Sequence, residues 1–206
     1  MSGFQRYKKI LDLFSEERSS WTVLEISKSL KTPSSTIYRI VREMVTAEFL
    51  ESASGSYFRL GPAFIKFNRI INFSDPLVRA GQPFLKKLAN ENPITSVNVL
   101  ARLYGNNVMC VADYKSPSFK KNTSYQRGKL MPLIYGATSR AIIMQITGKR
   151  LENLINLEKF KSDEDKTNFL KELKSDRKKG YCFTEGQVDK GLIGFAVSIS
   201  NKKLGI

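Results

Sequence analysis

The stretch Thr32-Pro-Ser-Ser-Thr-Ile-Tyr-Arg-Ile-Val-Arg-Glu-Met44 decides the fold of the first third of this 206-residue chain. Its apolar side chains recur at helical spacing, and they predict one buried face made of Ile37, Ile40, Val41 and Met44. Thr32 suits the N-cap and Pro33 suits the first helical position. We therefore expect an amphipathic helix to begin directly after a short break at residues 31–32.

The opposite face of this helix carries hydroxyl and guanidinium groups. Residues 35, 38, 39 and 42 stand at positions i, i+3, i+4 and i+7, and no acidic residue interrupts them before Glu43. Such groups bind DNA phosphates and base edges, whereas an ordinary solvated helix face is the alternative. The candidate DNA contacts on this predicted recognition helix are Ser34, Ser35, Thr36, Tyr38, Arg39 and Arg42.

The elements on either side of this helix complete a winged helix-turn-helix. Apolar residues at helical spacing predict a helix over residues 7–14, and the capping-box pattern Thr22-Val-Leu-Glu25 predicts the start of a second. Residues 49–51 and 57–60 read as two short strands around a Ser/Gly turn. Three helices followed by a hairpin are typical of this DNA-binding motif. The wing adds three candidate contacts: Ser56, Tyr57 and Arg59.

The rest of the chain predicts a linker and a second, larger domain. Gly61-Pro62 opens a helix whose Phe64, Phe67 and Ile71 would pack subunits or domains, and Pro83 should kink or split the helix that follows. Alternating residues then predict a hairpin around Gly105. Later helices are expected at 138–147, 149–157 and 163–179, and strands at 181–185 and 192–200. The fold class is α+β, with a DNA-binding domain at 1–61, a linker helix at 62–74 and a second domain at 75–206.

Composition excludes several classes of function. The chain has no histidine and only two cysteines, Cys110 and Cys182, so histidine triads, histidine metal ligands and Cys-rich zinc sites are ruled out. Both cysteines stand in apolar alternating strands, which indicates packing rather than catalysis. No apolar run is long enough to span a membrane, and no signal-peptide core is present. We expect a cytoplasmic protein without membrane association, catalytic residues, metal or cofactor.

The charge of the chain points to an anionic partner without locating it. The net charge is +15, of which residues 1–73 carry +4 and residues 74–206 carry +11. Nucleic acid is the commonest partner of so basic a chain. Lysine-rich solvated faces are also common, so a plain compositional bias stays open.

A candidate anion site lies in the second domain. Tyr135-Gly-Ala-Thr-Ser139 is a turn of small residues that leads into a helix. Free backbone N–H groups and the helix dipole suit a carboxylate there. The alternative is a glycine-containing cap that binds nothing. The candidate effector contacts in this segment and its apolar wall are Leu130, Met131, Gly136, Ala137, Thr138 and Ser139.

Five segments spread along the chain follow one pattern. The first two are Thr32-Pro-Ser-Ser-Thr-Ile-Tyr-Arg39, at the start of the predicted recognition helix, and Tyr57-Phe-Arg-Leu-Gly61 in the predicted wing. The other three are Gly128-Lys-Leu-Met-Pro-Leu-Ile-Tyr-Gly-Ala-Thr-Ser-Arg-Ala141, Lys178-Lys-Gly-Tyr181 and Gly191-Leu-Ile-Gly-Phe-Ala196. In this order and spacing they resemble the IclR family of bacterial transcription regulators over nearly the whole chain, and the segment from Gly128 resembles that family's most recognisable stretch.

The resemblance implies a GAF-like α/β effector-binding domain and homodimers or homotetramers that bind double-stranded operator DNA. It implies a small organic or aromatic acid as effector, and it adds Thr184 and Gly194 to the candidate effector contacts. The family's usual acidic residue near position 187 is Gln187 here. The family also has a further strand and helix after the position of Asn201, so we expect this domain to be incomplete at its C-terminus, with an unpaired sheet edge and exposed apolar surface.

The favoured function is a transcription regulator, most simply a repressor, whose operator affinity responds to an acid effector. A DNA-binding protein without effector control is the first alternative. A GAF-like enzyme is a second alternative, although no Cys–His pair is available. An RNA-binding protein is a third, and no exposed aromatic sheet motif supports it.

Overall fold

The computed structural model describes residues 3–121 and 123–200, and the chain divides into two units, Met1–Asp75 and Pro76–Ile206. In the first unit, three helices pack around one core: α1 (Gly3–Leu11), α2 (Val23–Leu30) and α3 (Ser34–Thr46). The buried apolar residues of this core are Ile10, Ile26, Ile37, Ile40, Val41, Met44 and Leu50. The predicted buried face of α3 is therefore confirmed.

Side-chain capping explains where α2 begins. The Glu25 N–H donates to Thr22 Oγ1 at 3.3 Å and the Thr22 N–H donates to the Glu25 carboxylate at 2.9 Å, so the predicted capping box is confirmed. The bond from the Thr22 N–H, with that from its hydroxyl, holds the pKa of Glu25 below its usual value.

The start of α3 differs from the expectation. Pro33 is the N-cap residue, and the Thr32 hydroxyl donates to the Leu30 carbonyl at 3.1 Å. Lys31 ends α2 in the left-handed region, and this turn directs Thr32 back towards α2. The prediction of Thr32 as N-cap is therefore wrong, and α3 begins one residue later than expected.

A three-stranded antiparallel sheet completes the first unit. Its strands β1 (Ser20–Thr22), β2 (Leu50–Ser52) and β3 (Tyr57–Leu60) lie in the order β1-β3-β2. The hairpin of β2 and β3 confirms the predicted wing. The sequence contains no signal for β1, because it is three residues long and becomes a strand only by pairing with β3, where Trp21 lies opposite Phe58.

Helix α4 (Ala63–Ser74) follows the wing through Gly61. A Cβ atom at Gly61 would lie 2.3 Å from the carbonyl oxygen of Glu48, so only glycine fits there. The rings of Phe64 and Phe67 contact the ring of Phe49, with centroids 5.6 and 6.0 Å apart. In the structure these two residues thus pack within the first unit, and their role between subunits or domains stays a prediction.

The second unit begins with a helix that packs on a sheet. Helix α5 (Pro76–Glu91) lies on the hairpin of β4 (Val97–Tyr104) and β5 (Asn107–Lys115), and β6 (Leu130–Met131) pairs with β5. Pro83 was expected to kink or split this helix, and the split is wrong, because α5 continues through this residue. Pro83 is exposed. Val78 and Leu85, on either side of it, are buried and pack both parts of the helix against the β4–β5 hairpin.

The remaining elements form the other part of the second unit. They are α6 (Gly136–Ile143), α7 (Gly148–Leu157), α8 (Asp163–Lys179) and the antiparallel pair β7 (Cys182–Glu185) and β8 (Ile193–Ala196). Helix α6 begins and ends earlier than predicted, since Thr147 already caps α7. Strand β8 stops at Ala196 rather than at 200. The expected incomplete C-terminus concerns residues 201–206 and beyond, outside the described residues.

The two faces of the β7–β8 pair differ in burial. Cys182 and Thr184 are buried on the face towards α6, while the alternate residues Phe183 and Phe195 are 51% and 66% exposed. Ile193, beside them, is 66% exposed. This pattern places apolar side chains on the solvent face of a two-stranded sheet.

Candidate nucleic-acid interface and effector site

The predicted DNA-contact residues of α3 share one exposed surface. Burial of Ile37 and Val41 fixes the roll of the helix, so the side chains on its other face point to solvent. Ser34 and Ser35 are exposed in the first turn, and Thr36 is half-buried beside them. Tyr38, Arg39 and Arg42 continue the exposed face along the helix.

The charges on this face are available to a partner. Within residues 3–121 and 123–200, neither Arg39 nor Arg42 forms an ion pair with a carboxylate, and the Arg42 guanidinium lies 6.0 Å from the centre of the Tyr38 ring. Glu43, the acidic residue that ends the basic face, accepts a hydrogen bond from the Tyr7 hydroxyl. This bond raises the pKa of Tyr7 and ties the Glu43 carboxylate to α1.

The predicted wing residues are placed on the hairpin with different surroundings. Ser56 lies at the tip with a positive φ of 63°, and the Tyr57 ring is 38% exposed. The alternate residue Phe58 points to the core, as its place in the alternating strand predicts. Arg59 is exposed, but its Nε donates to the Glu51 carboxylate at 2.6 Å, so its charge is already paired.

The candidate effector segment forms the first turn of α6. Gly136, which opens the helix, has a φ of 80°, which favours glycine. Gly136, Ala137 and Ser139 are buried and Thr138 is half-buried. The structure therefore places this helix N-terminus inside the unit.

Gln187 and Tyr125, which were not among the predicted site residues, contact the first turn of α6. The Gly136 N–H donates to the Gln187 carboxamide oxygen at 3.3 Å, and the buried Tyr125 hydroxyl lies 3.2 Å from Ser139 Oγ. Tyr125 also donates to the Tyr135 carbonyl at 3.3 Å. Burial raises the pKa of Tyr125, so it stays a neutral phenol. Gln187 was visible only as a departure from the family pattern, and no sequence signal marks Tyr125.

The two residues added through the family resemblance lie next to α6. A Cβ atom at Gly194 would lie 2.8 Å from Thr184 Oγ1, 3.2 Å from Ala137 Cβ and 3.7 Å from the Ala137 backbone nitrogen. Thr184 is 6% exposed. The structure thus brings Thr184 and Gly194 together with the first turn of α6.

Close packing at Gly194 leads to a stability prediction. Gly194→Ala is expected to lower the free energy of unfolding by about 1–2 kcal/mol, because the new methyl group overlaps Thr184 Oγ1 and crowds Ala137. Urea unfolding followed by circular dichroism measures this change. Gly3→Ala is the control, because nothing lies within 4 Å of a Cβ atom at Gly3. Equal stability of Gly194→Ala and wild type would contradict the packing described here.

Leu130 and Met131, which were predicted to form part of an apolar wall, differ in how far they are buried. Leu130 is 55% exposed on β6, so it does not line an enclosed pocket. Met131 is buried in the same apolar core as Ala137. Their contact with an effector stays a prediction.

A cleft lies between α8 and β7, and Thr184 is the one candidate effector residue among the described residues that line it. It has a volume of about 330 Å³, and Tyr181, Phe183, Thr184 and Gln187 are among its lining residues. At its base, the buried Arg140 of α6 pairs with Asp176 and donates to Glu172 at 2.8 Å. The Arg140 Nε is buried and has no hydrogen-bond partner among the described residues. Both aromatic and polar groups therefore line this cleft.

Comparisons with known proteins match this architecture. Residues 5–54 match the IclR helix-turn-helix domain, which spans α1 to the wing tip. The chain is similar to an IclR homolog from Microbacterium hydrocarbonoxydans, solved in complex with 4-hydroxybenzoate, at 19% identity and a TM-score of 0.79 over 98% of this chain and 84% of that one. Residues 5–54 are thus an IclR-type helix-turn-helix domain.

Two further proteins are similar to this chain over nearly its whole length. An IclR transcriptional regulator from Alicyclobacillus acidocaldarius shares 18% identity and a TM-score of 0.80, over 97% of this chain and 82% of that one. The Pca regulon regulatory protein of Pseudomonas putida is 19% identical over 204 residues, which are 97% of this chain and 69% of that protein. The chain thus combines an IclR-type helix-turn-helix with a second α/β domain, and its fold is that of these solved structures.

The two cysteines of this chain are buried side chains of the second unit. Cys110 Sγ donates to the Ala112 carbonyl at 3.3 Å, and Cys182 Sγ lies 3.7 Å from Met144 Sδ. Burial, with a smaller contribution from nearby aspartates, raises the pKa of both thiols to about 12. Within the described ranges, no cluster of three or more Cys, Asp or Glu could hold a metal ion, and no helix is long and apolar enough to cross a membrane.

These cysteines predict slow thiol chemistry. At pH 8 we expect neither Cys110 nor Cys182 to react with a disulfide reagent such as DTNB in the native protein, since both are buried and protonated. Reaction of both thiols on unfolding in urea is the control. Labelling of the native protein at the rate of the unfolded one would show that these strands are open to solvent.

Proposed function

We propose that this chain is an IclR-type transcription regulator that binds double-stranded operator DNA through α3 and the wing and represses transcription. The observation that supports this most is the exposed basic face of α3, where Arg39 and Arg42 have no carboxylate partner within the described residues. The guanidinium group of arginine can bind guanine edges in a bidentate manner. Tyr38 and the hydroxyls of Ser34, Ser35 and Thr36 extend the same surface. A cytoplasmic location belongs to this proposal.

The active form in this proposal is a homodimer or homotetramer. The apolar side chains of α4 supply a contact surface, since Ile65, Ile70 and Phe73 are 74%, 50% and 66% exposed. Exposed apolar patches of this kind mark interfaces. Two paired helix-turn-helix units would read half-sites one helical turn apart on a palindromic operator.

A small organic or aromatic acid is the proposed effector, bound at the first turn of α6. The backbone N–H groups there, with Thr138 and Ser139, are suitable partners for a carboxylate. The Microbacterium hydrocarbonoxydans relative, solved with 4-hydroxybenzoate, supports an aromatic acid. The acid would shift the conformational equilibrium of the second unit and thereby the operator affinity.

A second candidate function is DNA binding without effector control. One observation favours it: the first N–H of α6 is already occupied by Gln187, and Tyr125 fills the space above Gly136. An enzyme with this fold has no comparable support, because burial keeps both thiols protonated.

Fluorescence anisotropy tests both candidates. The full chain is titrated onto a duplex from upstream of its own gene and onto a scrambled duplex, over a range of salt, with and without 4-hydroxybenzoate. Preference for the native duplex that persists as salt rises, together with a change on adding the acid, supports a ligand-responsive regulator. Preference without any response to acids supports the second candidate. Equal and steeply salt-dependent binding to both duplexes contradicts sequence-specific regulation and leaves only the +15 charge acting.

A further inference from the structure

Helix α3 contains a single acidic residue, Glu43, and it lies beside the two arginines of the exposed face. Arg39, Arg42 and Glu43 all border one groove of about 530 Å³ on this helix. Arg39 and Glu43 stand at positions i and i+4, and both are exposed. Side chains at this spacing are neighbours on a helix surface, and opposite charges there commonly pair. Such a pair would occupy the guanidinium group that the proposed function assigns to DNA.

Other arginines of the first unit do pair with carboxylates within their reach. Arg59 Nε donates to Glu51 at 2.6 Å, although the two side chains are 62% and 40% exposed. Arg18 pairs with Glu25 in the same way. Contact with water therefore does not prevent ion pairs in this unit. Arg39, in contrast, has no ion pair with any carboxylate in the part of the chain that the structure describes.

Tyr7 of α1 accounts for this difference. Its ring packs against the core of the first unit, and its hydroxyl donates to the Glu43 carboxylate, 36 positions later in the chain. The bond to Glu43 raises the pKa of Tyr7, and the positive charge of Arg39 acts on the same phenol in the opposite direction. The three groups are therefore neighbours, and the Glu43 carboxylate is bonded to the phenol rather than to the guanidinium.

We propose that Tyr7 is a positioning residue for the DNA-binding face of α3: its hydroxyl holds the Glu43 carboxylate away from Arg39 and leaves this guanidinium free for operator DNA. The inference rests on the proposed DNA-binding function of α3 and adds a residue outside the contact set on which that function depends. Without the hydroxyl, Glu43 pairs with Arg39 and competes with DNA for it. Helix α1 thereby determines how strongly α3 binds the operator.

Fluorescence anisotropy of the full chain tests this proposal as a double-mutant cycle, on the duplex from upstream of its own gene and on a scrambled duplex. Tyr7→Phe keeps the ring and removes the hydroxyl. We expect it to bind the operator duplex about two- to fivefold more weakly, the size of one exposed ion pair, and to bind the scrambled duplex almost as wild type does. Glu43→Ala should bind the operator at least as tightly as wild type. Tyr7→Phe combined with Glu43→Ala should bind as Glu43→Ala alone does.

A matched control and a measurement without DNA accompany this cycle. Tyr104→Phe removes the hydroxyl of an exposed tyrosine on the β4–β5 hairpin and should bind as wild type does. NMR titration of protein with labelled tyrosine rings should show the pKa of Tyr7 above its ordinary value in wild type and lower in Glu43→Ala, with Tyr7→Phe identifying the signal. A pKa of Tyr7 that is the same in both proteins would show that the two groups are not bonded, and the proposal would fail.

The DNA titrations separate this proposal from the DNA-binding function on which it rests. If Arg39→Ala is weakened but Tyr7→Phe binds as wild type does, α3 still reads the operator and Tyr7 does not position it. If Tyr7→Phe weakens binding equally with and without Glu43, its effect does not pass through this carboxylate. Weaker binding of Glu43→Ala than of wild type would make Glu43 a DNA contact itself and would overturn the proposal.

One outcome contradicts both proposals at once. If neither Arg39→Ala nor Tyr7→Phe changes operator affinity, the proposed role of Arg39 fails, and its positioning by Tyr7 fails with it. Urea unfolding of each variant confirms that a loss of binding is not a loss of fold.

Discussion

Asp176→Ala is expected to lower the free energy of unfolding of the second unit by about 3–5 kcal/mol, because it leaves a buried guanidinium without its buried partner. Arg140 on α6 and Asp176 on α8 each have side chains that are 6% exposed. Glu172 also pairs with Arg140, but its side chain is 55% exposed. Because water screens this ion pair, Glu172 replaces only part of the interaction that Arg140 loses with Asp176. We therefore expect the lower end of this range.

Urea unfolding followed by circular dichroism measures the effect, with the two units fitted as separate transitions. Asp163→Ala on the same helix is the control. The exposed Asp163 carboxylate interacts only with the helix dipole, so its loss should lower the free energy of unfolding by at most about 1 kcal/mol. The double variant Arg140→Met with Asp176→Leu should recover most of the loss, since both buried charges are then removed. A stability of Asp176→Ala within about 0.5 kcal/mol of wild type would show that the pair is not buried in solution.

The pair also matters for the candidate effector site. Arg140 stands one turn after Gly136 on α6, so its bond to α8 fixes the helix that presents the N–H groups. Arg177 of α8 adds to this link, because its Nε donates to the Met144 carbonyl at 2.7 Å. Arg140 thus links α6 to α8, and Arg177 links α8 to the C-terminal end of α6. These two links give α6 the rigid support that a binding site needs.

Local patterns in the sequence predicted those parts of the fold that depend on neighbouring residues. The capping box at Thr22 and the buried face of α3 involve residues within one or two turns, and both are confirmed. The start of α3 was predicted wrongly because the Thr32 hydroxyl donates to the Leu30 carbonyl in the turn after α2 and does not cap α3. Propensity alone does not decide between such competing bonds.

The parts that depend on distant residues could not be predicted. Strand β1 pairs with β3 more than thirty positions later, and three residues contain no period of their own. Gln187 meets Gly136 across 51 positions, so the sequence predicts an anion-binding turn at residues 136–139 but does not show that the Gly136 N–H donates to Gln187. Pro83 was expected to kink or split α5, but the helix is not split, since packing of Val78 and Leu85 outweighs the lost hydrogen bond. The DNA-contact and effector residues named from the sequence stay predictions, which binding measurements decide.

Arg39→Ala is expected to weaken binding to the specific operator by about 1–3 kcal/mol, or roughly 5- to 150-fold, if Arg39 contacts a base edge. Arg39 is exposed one turn into α3, and the side chains that fix the helix, Ile37 and Ile40, point the other way. The substitution therefore removes a contact group without opening the core, and the circular dichroism spectrum should be unchanged.

Anisotropy titrations on the operator and on a scrambled duplex distinguish a base contact from a phosphate contact. Loss of a base contact lowers operator affinity and leaves scrambled-duplex affinity almost unchanged, whereas loss of a phosphate contact weakens both and reduces the salt slope by about one. We expect the first result for Arg39→Ala and the second for Arg42→Ala, which lies further from the helix N-terminus. Arg79→Ala, an exposed arginine of α5 with the same change in net charge, controls for the loss of a positive charge anywhere on the protein. Wild-type affinity in Arg39→Ala would show that neither this residue nor the N-terminal half of α3 contacts the bases. The wing residues Ser56 and Tyr57 would then be substituted next.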